Sequence, residues 1–153
     1  MTISAICTRD VIAAYRTDSV TDAARMMRKF HVGSLVIIED NAQGGKVPVG
    51  IITDRDITIS VTALGLDPAA ITVNEIMADA VVCVHENAGI AESVALMRTK
   101  GVRRLPVVND LGALTGIIAA DDLLSLLADE LSGLADSAAR ERRHEQENRR
   151  SGV

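Results

Sequence analysis

The sequence predicts an α+β fold: two tandem β-α-β-β-α repeats, related by pseudo-two-fold symmetry and sharing one core. Three observations predict it. Val20–Ile38 matches Ile90–Val108 at a shift of 70 residues, pairing Met27 with Met97, Arg28 with Arg98, Val32 with Val102 and Leu35 with Leu105. Val49–Ile57 matches Thr115–Leu123 at a shift of 66, with Gly50, Ile51, Ile52 and Asp56 repeated identically as Gly116, Ile117, Ile118 and Asp122. Within each copy the apolar pattern changes from the short runs of strands to the spacing of helices, which excludes a purely helical array.

A chain of 153 residues suits one compact domain or two small units sharing a core. Repeats of about 55 residues bury too little surface to stand alone comfortably, so the copies are expected to pack together. Nearly half the residues are hydrophobic, but Tyr15 and Phe30 are the only aromatics, so the core is aliphatic. No apolar run approaches the ~18 residues of a membrane span, and the start lacks the features of a signal peptide. The expectation is a soluble, cytoplasmic protein with no membrane role. Cys7 and Cys83 have neither metal-ligand spacing nor a neighbouring histidine, and read as reduced, buried thiols.

The first repeat is assigned to 6–64, with a helix near Val20–Phe30, strands at Ser34–Ile38 and Val47–Ile52, and a closing helix from Asp54 to about Leu64. Its hairpin holds four extra residues around Gln43-Gly44-Gly45-Lys46, and a loop is where insertion is tolerated. A linker at 65–75 opens with Gly65-Leu66-Asp67-Pro68, which turns the chain. In it Thr72-Val73-Asn74-Glu75 fits a capping box for a short helix ending near Met77. The second repeat, 76–131, reads as a strand at Val81–Val84, a helix at Ile90–Lys100, a hairpin around Asn109-Asp110-Leu111-Gly112, and a closing helix at Asp121–Leu131.

That last helix is apolar over a wide arc. Leu123, Leu124, Leu126, Leu127, Leu131 and Leu134 cover roughly 160°. Such breadth predicts a homodimer through the closing helices. Residues 132–153 form a charged tail, partly helical or disordered, with five arginines and three glutamates from Arg140 onward. Setting these aside leaves 11 basic and 18 acidic groups, a net of −7 on the body. A body so acidic argues against nucleic acid as a partner.

Taken together, Gly-Val-Arg-Arg-Leu-Pro-Val-Val at 101–108, Gly-Ile-Ile-Ala-Ala-Asp-Asp at 116–122 and Gly-Ile-Ile-Thr-Asp-Arg-Asp at 50–56 resemble a tandem pair of cystathionine β-synthase (CBS) domains. The resemblance covers about Ile6–Leu131 and looks like the stand-alone bacterial kind. It implies two clefts between the repeats that hold adenosine ligands: AMP, ADP or ATP, with NAD and S-adenosylmethionine completing the set. It also implies a flat dimer and a role as a sensor acting on a further protein partner.

The family motif is a glycine, two apolar residues, Ser or Thr, two variable residues, then Asp, and Thr53 and Asp56 match it in full. An ionised Asp can accept from both ribose hydroxyls, and a threonine hydroxyl at a helix start suits a phosphate. The same residues also form an N-cap with an acid three positions on, and the two readings are compatible. In the second copy Ala119 replaces the hydroxyl while Asp122 remains, so this cleft is empty, weaker or suited to another ligand. Arg103 and Arg104 stand where the family places phosphate-binding basic residues. Alternation along a strand sends neighbours to opposite faces, so only one of them is expected at a given phosphate. Arg55 either reaches a phosphate or pairs with Asp54 or Glu75. Val36 and Pro106 are expected, by resemblance, to contact adenine.

His31, His85 and His144 are isolated, so no metal is expected. With no P-loop, nucleophile elbow or Cys-x-x-Cys, and no oriented nucleophile beside Asp54 and Asp56, neither catalytic residues nor a catalytic cofactor are expected. The rival to a ligand sensor is a dimerisation module with vestigial clefts, suggested by Ala119 and the leucine-rich helix.

Overall fold

The computed structural model describes residues 1–78 and 80–150. It divides into two compact units, Met1–Ile118 and the segment from Ala119 onward. In the first unit, β1 (Ala13–Tyr15), α1 (Val20–Phe30), β2 (Ser34–Asp40), β3 (Lys46–Thr53) and the short α2 (Asp54–Ile57) form the first repeat. The strands lie in the order β1-β2-β3, with β1 parallel and β3 antiparallel to β2. After the connecting helix α3 (Val73–Ile76), the second repeat brings β4 (Val84–His85), α4 (Ile90–Lys100), β5 (Arg104–Val108) and β6 (Leu114–Ala119), in the order β4-β5-β6. Two three-stranded sheets with helices are the mixed architecture read from the repeat.

Local chemistry sets the element ends. Ser19 accepts from the Asp22 N–H at 3.1 Å and starts α1. α1 and α4 both stop on a left-handed residue, His31 (φ 54°) and Gly101 (φ 66°), two positions that the 70-residue shift superposes. Glycine adopts that conformation without the penalty a side chain carries. The closing helix of the first repeat departs from the expected α geometry: after Ile57 the chain widens into a π-helical turn over Thr58–Thr62. Thr58, Ile59, Val61 and Thr62 are β-branched, and the Thr58 hydroxyl donates to the Asp54 carbonyl at 3.0 Å, both of which disfavour a regular α ladder.

The core of the first repeat gathers Ala14, Ala23, Met27, Leu35, Ile37 and Ile52 from the sheet and α1. Val73, from the linker, and Met77, just after it, join them. This is one half of a reciprocal exchange. The segment leading into the second repeat is hydrogen-bonded to the first, Val73 N–H to Asp18 O at 2.8 Å and Asn74 N–H to Arg16 O at 3.1 Å. The segment leading into the first repeat is bonded to the second at the superposed positions, Ile3 N–H to Ala88 O and Ser4 N–H to Glu86 O, both at 2.9 Å. Ile3 and Val73, the matching residues, are both fully buried. Each repeat is thus completed by the other's lead-in, which is how two units that each bury little surface come to share a core.

The exchange also explains the repeated glycine. A Cβ on Gly50 would lie 2.9 Å from Met77 Sδ, and one on Gly116 would lie 2.6 Å from Cys7 Sγ and 3.0 Å from Thr8 O. Met77 and Cys7 are superposed by the same shift. Only glycine lets the crossing lead-in lie on the strand.

The second unit is α5 (Ala120–Arg150), one continuous helix of 31 residues that takes in the described part of the charged tail. Residues 151–153, the end of that tail, lie outside the described residues. No helix is long and apolar enough to cross a membrane among the described residues.

Candidate functional site

The end of β3 delivers Thr53 into the start of α2 in extended conformation (φ −117°, ψ 161°). There it forms the predicted capping box. Thr53 Oγ1 accepts from the Asp56 N–H at 3.1 Å, and Asp56 Oδ2 accepts from the Thr53 N–H at 2.8 Å. The box orients both side chains and uses one carboxylate oxygen. Asp56 Oδ1 has no hydrogen bond among the described residues. Each backbone donor at the helix start is thus satisfied while acceptor capacity remains for a ligand.

Thr53 and Asp56 form one wall of a cleft of about 370 Å³. Ile51 extends that wall, and the opposite side is built from the second repeat: Ala78 and Ala80 to Val82 on the lead-in, and Gly101 to Arg104 between α4 and β5. The cleft lining therefore combines a hydroxyl–carboxylate pair and two arginines with apolar surface from Ile51, Val81, Val82 and Val102. Such a mixture suits an amphipathic anion with hydroxyls, since apolar walls bury a flat ring while arginines bind phosphate.

Of the residues singled out in the sequence, the structure brings Thr53, Asp56, Arg103 and Arg104 together. Both arginines line the cleft. Strand alternation does not separate them because Arg103 precedes β5 and Arg104 is its first residue. The other four sit elsewhere. Arg55 is exposed and forms no ion pair with Asp54 or Glu75 among the described residues. Val36 is buried at the centre of the first sheet, between Ala13 and Ile51, and Pro106 is fully buried in β5. Neither is a wall of the cleft. Asp122 belongs to the second unit, where its Oδ2 accepts from the Ala119 N–H at 3.0 Å, half of the box formed by Thr53 and Asp56.

Sequence reasoning missed Val81 and Val82, which read as part of a buried strand. β4 begins only at Val84, and the two valines are irregular and half-buried on the cleft wall. No local sequence signal marks them; the structure shows the same arrangement in the first copy, where Asp10-Val11-Ile12 also stand before a strand that starts at Ala13. Cys83, next to them, has its thiol pushed above the ordinary range by burial, which keeps it protonated and unreactive. Among the described residues no group of three or more His, Cys, Asp or Glu could hold a metal ion.

The model of the CBS domain matches this chain twice, over residues 3–62 and 73–129. MK0525 of Methanopyrus kandleri is 36% identical over 126 residues, or 82% of this chain, and the chain spans 62% of that relative's length. Among solved structures, the hexameric CBS-CP12 protein from bloom-forming cyanobacteria is similar with a TM-score of 0.70 and 27% identity, over 92% of this chain and 85% of that one. The CBS domain pair of protein MJ0100, solved in complex with 5′-methylthioadenosine and S-adenosyl-L-methionine, is similar with a TM-score of 0.69 and 27% identity, over 83% and 99% of the two chains.

Proposed function

This chain belongs to the CBS-domain family, and from that premise we propose that it is a regulatory module that binds an adenine nucleotide in the cleft of Thr53, Asp56, Arg103 and Arg104. The observation that carries the reading is that a hydroxyl–carboxylate pair and two arginines line one cleft together with apolar residues. Asp56 accepts from the ribose hydroxyls, the arginines take the phosphate, and Val81, Val82 and Val102 cover the base. The module acts as a cytoplasmic sensor rather than a catalyst. It pairs into a homodimer through its closing helices and passes ligand occupancy to a protein partner. Occupancy shifts that assembly only by the ligand's differential affinity for its states.

Size and charge narrow the ligand. A volume of about 370 Å³ lies near the small end of ligand pockets and suits AMP or ADP better than the dinucleotide NAD. The sulfonium and ammonium of S-adenosylmethionine would face two arginines, whereas a phosphate is attracted by them. The second reading, a dimerisation module with vestigial clefts, draws on Ala119 and on the exposed leucines of α5.

A thermal-shift panel with AMP, ADP, ATP, NAD and S-adenosylmethionine separates these readings. A ligand present at a hundredfold excess over its dissociation constant raises stability by about 2.7 kcal/mol. The expected result is a shift with AMP or ADP and none with S-adenosylmethionine. Calorimetry on Asp56→Ala should then show affinity weakened about 10–100-fold, the usual cost of losing hydrogen bonds to a charged group. Unchanged affinity in that variant would remove Asp56 from the site, and no shift with any ligand would leave the dimerisation module.

A further inference from the structure

The apolar arc of α5 divides into two parts. Leu123 is buried and Leu126 half-buried, while Leu124, Leu127, Leu131 and Leu134 are 63%, 41%, 67% and 69% exposed. The exposed four are spaced by three, four and three residues, the alternation that keeps a seam on one side of a helix. One edge of this seam carries the small residues Ala128 and Ala135, and the other carries Glu130.

The row reads the same in both directions about position 129. We infer that α5 pairs with α5 of a second copy in antiparallel orientation, with the two-fold axis at the level of Asp129. This inference rests on the homodimer proposed above and names its contact. In that arrangement Leu124 of one helix layers with Leu134 of the other, and Leu127 with Leu131. A patch that matches itself under a two-fold rotation is what an isologous interface requires. The alanine edges meet on one side of the axis and let the helices approach closely. On the other side the two Glu130 carboxylates meet at the exposed rim, a smaller cost than glutamates set within the seam itself.

Charge decides the orientation. In a parallel, in-register pair the seam would continue past Leu134 through Ala138, Glu141 and Glu145, setting each glutamate against its own copy. Like charges so placed oppose pairing. In the antiparallel pair the partner helix begins at Ala120, so its end lies opposite Ala138 and both glutamates fall beyond it. The charged second half of α5 is thereby left out of the seam, which accounts for leucines ending at Leu134 on a helix that runs to Arg150.

Sedimentation of the full chain, alongside Leu127→Glu/Leu131→Glu, tests the seam. The expected result is a wild-type dimer and at least about a tenfold weaker dimer in the variant, with nucleotide affinity unchanged. A wild-type monomer would overturn the homodimer itself. A variant that dimerises like wild type would keep the homodimer and overturn the seam. Oxidation of single-cysteine chains, made with Cys7→Ala and Cys83→Ala, reads the orientation. Leu124→Cys should not crosslink to itself, since an antiparallel pair holds those positions about 15 Å apart. Mixed with Leu134→Cys, it should give a covalent heterodimer. Self-crosslinking of Leu124→Cys with no mixed product would overturn the antiparallel arrangement.

Discussion

The two copies of the motif, Gly50–Asp56 and Gly116–Asp122, differ in what they keep. Both keep the glycine, because in both a lead-in from the opposite repeat crosses within contact distance, Met77 at Gly50 and Cys7 at Gly116. Both keep the aspartate, whose Oδ2 accepts a backbone N–H three residues earlier, at 2.8 Å from Thr53 and 3.0 Å from Ala119. The hydroxyl alone is lost. Backbone geometry therefore demands the glycine and rewards the aspartate in either copy, whereas Thr53 adds a group that the fold can do without. Under the function proposed above, Thr53 rather than the glycine is therefore the residue that sets the first cleft apart from the second.

Filling the two glycines should have the largest effect. Gly116→Ala places a methyl 2.6 Å from Cys7 Sγ and 3.0 Å from the Thr8 carbonyl, where Thr8 and Ile117 are also joined by two 2.9 Å backbone hydrogen bonds. The backbone cannot retreat without losing them. Gly50→Ala meets the end of a flexible methionine at 2.9 Å. The expected losses are about 3 kcal/mol for Gly116→Ala and about 1 kcal/mol for Gly50→Ala, read from urea midpoints. Equal losses would mean that the two crossings are equally pliant.

A smaller effect sharpens the comparison. Ala119→Thr restores the missing half of the second box, and a threonine N-cap in place of alanine should stabilise by about 0.5–1 kcal/mol. Calorimetry of the wild type should return one nucleotide per chain, since the second copy lacks the hydroxyl and its counterparts of Arg103 and Arg104 are Gly33 and Ser34. Two equivalent sites would show that the hydroxyl is dispensable for binding as well as for folding.

The smallest effect lies in the box of α3, where Glu75 Oε2 accepts from the Thr72 N–H at 2.7 Å and from its hydroxyl at 3.0 Å. These bonds hold the Glu75 carboxyl below the ordinary carboxylate range. A lowered folded-state pKa contributes stability above the unfolded value and loses it as pH falls through the folded one. Glu75→Gln should therefore flatten the acid side of the stability–pH curve slightly and leave the slope near neutrality unchanged. An unaltered acid limb would show that the exposed pair contributes nothing measurable.

Features that depend on neighbours along the chain are legible in the residues alone. The repeat, both capping boxes, the hairpins and the apolar width of the last helix follow from spacing and side-chain chemistry within a few residues, and so does the Thr53–Asp56 pair. Which distant segments complete each repeat emerges only in the folded chain. The exchanged lead-ins place Ile3 beside Ala88 and Val73 beside Asp18, contacts that no local pattern encodes. Val81 and Val82, expected in a strand, line the cleft instead, as do both Arg103 and Arg104. Adenine contacts were expected at Val36 and Pro106 by resemblance; both are buried in the sheets, and neither is among the residues that line the cleft of Thr53 and Asp56. Periodicity reports which face of an element is apolar, and the element packed against that face is set by long-range contacts whose entropy cost and burial are settled only when the chain closes on itself.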